Sequence, residues 1–88
     1  MKRKYFGKVS SISNSPDKNG YYKLTLTMTD ELFYSKIKGK KILLLSEEDT
    51  HKYRKGDYYL FQVEYAPETN QLLAGYEKDY DKGGYKEV

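Results

Sequence analysis

Hydrophobic and polar residues alternate with a period of two over most of the chain, which is the pattern of half-buried β-strands. The alternation is clearest from Tyr21 to Thr29, where the even positions are apolar and the odd ones are Tyr, Lys or Thr. The segment from Tyr5 to Ile12 changes parity along its length, so Gly7 or the Ser10 and Ser11 pair is expected to hold a bulge. Turn formers fill residues 13–20 and end in Asn-Gly, a strong hairpin signal.

The second half of the chain continues the pattern. Further strands are expected at residues 40–45, 58–65 and 71–77. Between the first two, Ser46 is followed by early acids and late bases, which predicts one or two capped helical turns. Residues 78–88 carry mixed charge, a Gly-Gly pair and almost no aliphatic side chain, so they are predicted to form a mobile tail.

Five strands with a short helical turn between the third and the fourth predict an all-β fold, a five-stranded OB-like Greek-key barrel. SH3-like barrels share much of this pattern, so the strand order stays open at this level. A chain of 88 residues has room for one such core, and the barrel is expected to occupy residues 1–77.

Two segments carry a resemblance to a known class of proteins. Gly7-Lys8-Val9 lies in a long bent first strand, and Tyr53-Arg54-Lys55-Gly56-Asp57 turns into an apolar fourth strand. Over residues 3–77 the chain resembles small OB-fold proteins that bind single-stranded nucleic acid. Its Lys- and Tyr-rich, Cys-free and Trp-free composition is also similar to small proteins of phages and mobile elements of low-GC bacteria. That similarity implies an accessory role in DNA replication or transfer.

Charge is distributed unevenly between the two halves of the chain. Residues 1–45 contain ten basic and three acidic residues, whereas residues 46–88 contain six basic and ten acidic residues. Such an asymmetry favours a polyanionic partner, although a mixed surface charge is also ordinary for a soluble domain.

Eleven tyrosines stand beside three phenylalanines and no tryptophan. An AT-rich genome would raise Asn, Ile and Phe as well, and these are few, so codon supply does not account for the tyrosines. Parity assigns Tyr22, Tyr59 and Tyr65 to the core. The tyrosines expected outside it are available to stack on bases, and the neighbouring cations to meet phosphates.

The nucleic-acid site predicted on this basis combines four stacking rings and six cations. The rings are Tyr21, Tyr34, Tyr53 and Tyr58, and the cations are Lys8, Lys23, Lys38, Lys40, Lys41 and Arg54. No long helix is expected that would read a duplex groove, so the predicted partner is a single strand. The resemblance to replication accessories of mobile elements implies DNA in preference to RNA. The alternative is a protein-binding inhibitor or modulator of a host or defence complex, with tyrosines as hot spots.

Catalytic motifs are weak in this chain. His51 is the only histidine, no nucleophile elbow surrounds a serine, and the acids at 47–49 fit a helix start better than a metal site. We therefore expect neither an enzyme nor a cofactor or metal.

The expected location is the cytoplasm. The chain has no cysteine, no apolar run of the roughly 20 residues that a membrane helix needs, and no apolar stretch after its basic start. An exposed edge strand would also allow a homodimer.

Overall fold

The computed structural model describes residues 1–28 and 39–88. The elements found within these residues are β1 (Lys2–Ile12), β2 (Tyr22–Met28), β3 (Gly39–Leu45), α1 (Glu47–Thr50), β4 (Tyr58–Tyr65), β5 (Asn70–Lys78) and β6 (Tyr85–Glu87). The all-β class predicted from the sequence is confirmed; β1 begins three residues before the expected segment, and the ends of β2 to β5 lie within one residue of the expected ones. None of the helices in the described ranges is long and apolar enough to cross a membrane.

The strands form one ring-like sheet. Their order is β3-β2-β1-β4-β5-β6, and an additional parallel pairing joins β3 to β5. All other neighbours run antiparallel. The ring therefore runs β1-β2-β3-β5-β4 and back to β1, with α1 between β3 and β4. This is a barrel-like all-β arrangement. The closing β3–β5 pairing involves only Leu43 with Asn70 and Leu44 with Gln71.

Alternate residues of each strand fill the interior of the ring. Fully enclosed side chains come from β1 to β4, and they are Val9, Leu24, Leu26, Leu43, Leu45, Phe61 and Val63. Tyr59 is buried among them, as its parity predicts, whereas Tyr22 and Tyr65 are only half-buried. Residues that pair directly across two strands point to the same side of a sheet, so the register also identifies the outer face.

A bulge in β1 explains why its parity changes. The register with β2 shifts between Val9 and Ser11, which confirms the Ser10–Ser11 alternative and not Gly7. The backbone of Val9 turns to the loop before β4, accepting from Gly56 N–H at 2.8 Å and donating to the Asp57 carbonyl at 2.9 Å. The bulge thus lets one strand pair with β4 in its first half and with β2 in its second.

The end of the chain departs from the predicted mobile tail. The structure gives residues 85–87 a sixth strand, which pairs with the last residues of β5. Val88 then donates its backbone N–H to the Gly75 carbonyl at 2.9 Å and packs its side chain against the core. The expected division at residue 77 therefore falls inside β5 and not at the end of the folded region.

Candidate functional site

The outer face of the first three strands carries three of the predicted cations, Lys8, Lys23 and Lys40. These strands carry seven basic residues, four in β1, one in β2 and two in β3, and no acidic residue. The other elements are different: α1 has three acids in its single turn, and β4, β5 and β6 each contain a glutamate. The fold therefore separates the charge seen in the sequence into a basic half of the sheet and a more acidic half.

One row of outward side chains crosses four strands. Tyr58 pairs with Lys8, Lys8 with Thr27, and Thr27 with Lys40. Because neighbouring strands lie about 4.8 Å apart, this row is roughly 14 Å long. Lys8 and Lys40 are exposed, and the hydroxyl of Thr27 is hydrogen-bonded to that of Ser10. We call these four residues, Tyr58, Lys8, Thr27 and Lys40, the cross-strand row.

Tyr58 is the predicted stacking residue that the structure places as expected. Its ring is 47% exposed although it lies nearly parallel to Phe6, with 6.1 Å between the centroids and 21° between the planes. The Tyr58 ring thus lies over Phe6, and Lys8 is its partner across the strands. An exposed ring that is already fixed loses less conformational entropy when a base stacks on it.

Tyr53 is a correction to the prediction. It is only 6% exposed and packs edge-on against Tyr59 at 5.1 Å and Phe61 at 5.0 Å. The Tyr53 ring also lies directly over Gly75 of β5, where a Cβ atom would collide with it. Burial raises its pKa to about 12, so the phenol is neutral and serves as core.

Tyr21 is held by the turn before β2. Asp17 Oδ1 accepts the backbone N–H of Asn19 at 2.8 Å and that of Tyr21 at 3.0 Å, and these bonds lower the Asp17 pKa. The Tyr21 ring is half-buried, and its hydroxyl accepts a long 3.5 Å hydrogen bond from Gln71 on β5. The Tyr21 hydroxyl therefore reaches Gln71 of β5, beside the β3–β5 closure.

The predicted cations are divided between two sides of the sheet. Lys40 and Lys41 are neighbours in one strand and so point in opposite directions. Lys41 pairs with buried Leu26 on the inner side, and its ammonium lies 5.8 Å from the Tyr5 ring centroid at one end of the ring. Strand alternation therefore separates these two members of the predicted site.

The remaining predicted site residues are Lys23, Arg54, Tyr34 and Lys38. Lys23 is exposed on the outer face of β2, two positions before Thr25 and four before Thr27. Arg54 is exposed in the turn that contacts the β1 bulge, and its backbone N–H donates to the Tyr59 hydroxyl at 3.0 Å. Tyr34 and Lys38 lie outside the described residues.

Nothing in the described ranges gathers three His, Cys, Asp or Glu side chains into a possible metal site. Comparison of the chain with protein-family models, curated proteins and solved structures finds no match, so its function has to be argued from the geometry of this surface.

Proposed function

We propose that this protein binds single-stranded nucleic acid, with little sequence preference, across the outer face of β1, β2 and β3. The observation that carries the proposal is the complete absence of acidic residues from these three strands, whose outward positions hold five bases, Lys2, Lys4, Lys8, Lys23 and Lys40. A surface of one sign attracts a polyanion, and flexible lysines contact phosphates without reading base identity.

The cross-strand row supplies the second requirement, a fixed aromatic ring beside the cations. Stacking of a base on an exposed ring contributes roughly 1–3 kcal/mol and tolerates any base. In this row Lys8 is the direct neighbour of Tyr58, so a base on the ring brings its phosphate towards the ammonium. The described elements include no helix longer than one turn, which disfavours reading of a duplex major groove.

Replacement of Tyr58 tests this proposal. We expect Tyr58→Ala to weaken binding to fluorescent poly-dT roughly 5- to 150-fold, the equivalent of one lost stacking contact. Tyr58→Phe keeps the ring and is the matched control, and it should bind like the unmodified protein. Anisotropy titrations against poly-dT, poly-U and duplex DNA would measure both effects and the preference between DNA and RNA. Equal affinities for the Ala and Phe variants, or a preference for duplex, would refute the proposed mode.

A protein partner is the second candidate, and one residue favours it. Ile42 lies on the same outer face, paired with Thr25, and is 51% exposed. An aliphatic side chain cannot stack on a base but contributes well to a protein interface. Affinity capture after nuclease treatment separates the candidates. One stoichiometric protein that is retained, and lost with Ile42→Thr, would support the second function and count against the first.

A further inference from the structure

A second group of aromatic side chains lies outside the ring, on the side away from β2 and β3. Phe6 is only 8% exposed, yet it points away from the core and pairs with Leu60, which in turn pairs with Tyr76. Tyr58 covers Phe6 from one direction, and Tyr85 of β6 approaches it edge-on at 6.5 Å. These five residues, Phe6, Tyr58, Leu60, Tyr76 and Tyr85, are called the outer aromatic cluster.

A cleft of about 240 Å³ opens beside this cluster. Its lining residues are Lys4, Leu60, Gln62, Tyr76 and Tyr85. The volume is below the roughly 300–1,000 Å³ of sites for drug-sized ligands, so it suits one planar ring system. Two phenol rings and one aliphatic side chain offer apolar walls, while the Gln62 amide both donates and accepts hydrogen bonds.

Tyr85 gives the cleft an unsatisfied polar group. Its hydroxyl is enclosed, and it has no hydrogen-bond partner among the described residues. Buried hydroxyl groups in proteins are normally paired. A ligand with donors and acceptors on its edge would satisfy both this hydroxyl and the amide of Gln62, which an aromatic side chain such as Phe would not.

The cleft is continuous with the cross-strand row along β1. Lys4, Phe6 and Lys8 occupy alternate positions on the same outer side of this strand. Tyr58 belongs to both surfaces, since it pairs with Lys8 and packs on Phe6. A single strand that crosses Lys8 therefore meets an aromatic surface and a further cation in the direction of β4 and β5.

From this arrangement we infer that the cleft binds a nucleobase of the same single strand, so that the strand's path extends over β1 onto β4 and β5. The inference rests on the proposed function. The Tyr76 ring contacts the flat face of the base, the Tyr85 hydroxyl and the Gln62 amide bond its edge, and the Lys4 ammonium meets the adjoining phosphate.

A length series of oligo-dT tests the inference. For the unmodified protein, affinity should rise with oligonucleotide length until the cleft is occupied. Gln62→Leu should bind short oligonucleotides normally, and both Gln62→Leu and Lys4→Gln should lose about 5- to 10-fold of the affinity gained from the added nucleotides, as expected for one lost polar contact. Lys82→Gln, in the exposed turn between β5 and β6, is the charge-matched control and should keep the full gain.

The side-chain amide signal of Gln62 in an NMR titration provides a direct readout, and it should shift with long but not with short oligo-dT. If short oligonucleotides bind and both cleft variants keep the full length dependence, the inference fails while the proposed function stands. If the unmodified protein binds no oligonucleotide of any length, both are overturned.

Discussion

Gly75 has a hydrogen where any other residue would collide with the ring of Tyr53. A Cβ atom built at this position would lie 2.6 Å from Tyr53 Cζ and closer still to two other atoms of the same side chain. The absence of a side chain at Gly75 in β5 thus leaves the space that the phenol ring of Tyr53 occupies. Gly7 is similarly restricted, but by backbone, because a Cβ there would lie 2.9 Å from the Met28 Cα.

Adding a methyl group at position 75 should destabilise the protein. We expect Gly75→Ala to lower the free energy of unfolding by about 1–3 kcal/mol, the usual cost of overpacking. The cost should be much smaller in a Tyr53→Ala background, where the ring is absent. Urea denaturation of the two single variants and the double variant gives this coupling. Strictly additive costs would show that the ring and Gly75 do not compete for the same space.

The buried phenols also predict a loss of stability at alkaline pH. Burial raises the pKa of Tyr53 to about 12, above its ordinary value of 10.0, and it also raises the pKa of Tyr59. Below pH 10 both phenols are neutral whether the chain is folded or unfolded. From pH 10 upwards the unfolded chain loses protons first, so stability should fall as pH rises towards 12. Denaturation midpoints across this range would show the slope, which Tyr53→Phe should reduce. An unchanged slope in that variant would contradict the assignment.

At the scale of elements, the sequence predicted β1 to β5 and the capped helical turn because each has a strong local signal. Ser46 does cap α1, its hydroxyl accepting the Asp49 N–H at 3.3 Å. The β6 strand was missed because three residues of mixed charge carry little periodicity. Its stability comes from pairing with β5 and from Tyr85 and Val88, contacts that join distant parts of the chain.

Among the site residues, too, a local pattern indicates the position of some, whereas that of others depends on contacts between distant parts of the chain. Tyr58 follows its strand parity and is exposed as expected. Tyr53 lies in a connection among charged neighbours, and no local pattern indicates that its ring packs against Tyr59 and Phe61. The outward burial of Phe6 depends on Tyr85, which comes from the end of the chain.

Removal of β6 should therefore be costly. We expect deletion of residues 85–88 to lower the free energy of unfolding by about 2 kcal/mol, because two half-buried side chains are lost. Tyr80→Ala, which changes a ring that is 90% exposed in the preceding turn, is the control and should have little effect on stability. A deletion variant with an unchanged denaturation midpoint would mean that the last residues do not contribute to the fold.

At the scale of the whole molecule, the separation of charge is the property with the widest effect. Five of the seven basic residues of β1, β2 and β3 lie at outward positions of the sheet, whereas the acids of α1 and of the β5–β6 region lie on other elements. Such a molecule has a preferred orientation in the field of a polyanion, although its formal net charge is only +3.

The basic surface of β1, β2 and β3 predicts that nucleic-acid binding depends strongly on salt concentration. If about four phosphates are neutralised, the slope of log K against log salt should be near −3 for a single strand. Lys8→Gln or Lys40→Gln should each reduce the magnitude of the slope by about 0.7, whereas Lys82→Gln should leave it unchanged. Anisotropy titrations between about 50 and 300 mM salt measure these slopes. A flat response would exclude phosphate contacts as a main source of affinity.

The narrow closure between β3 and β5 sets where the ring is easiest to open. Two residue pairs join these strands, whereas seven join β2 to β3. Local opening begins where few backbone hydrogen bonds have to break. The β3–β5 pairing can thus open locally while β1 stays paired with β2 and β4. A ligand bound across β1, β2 and β4 would not prevent this local opening between β3 and β5.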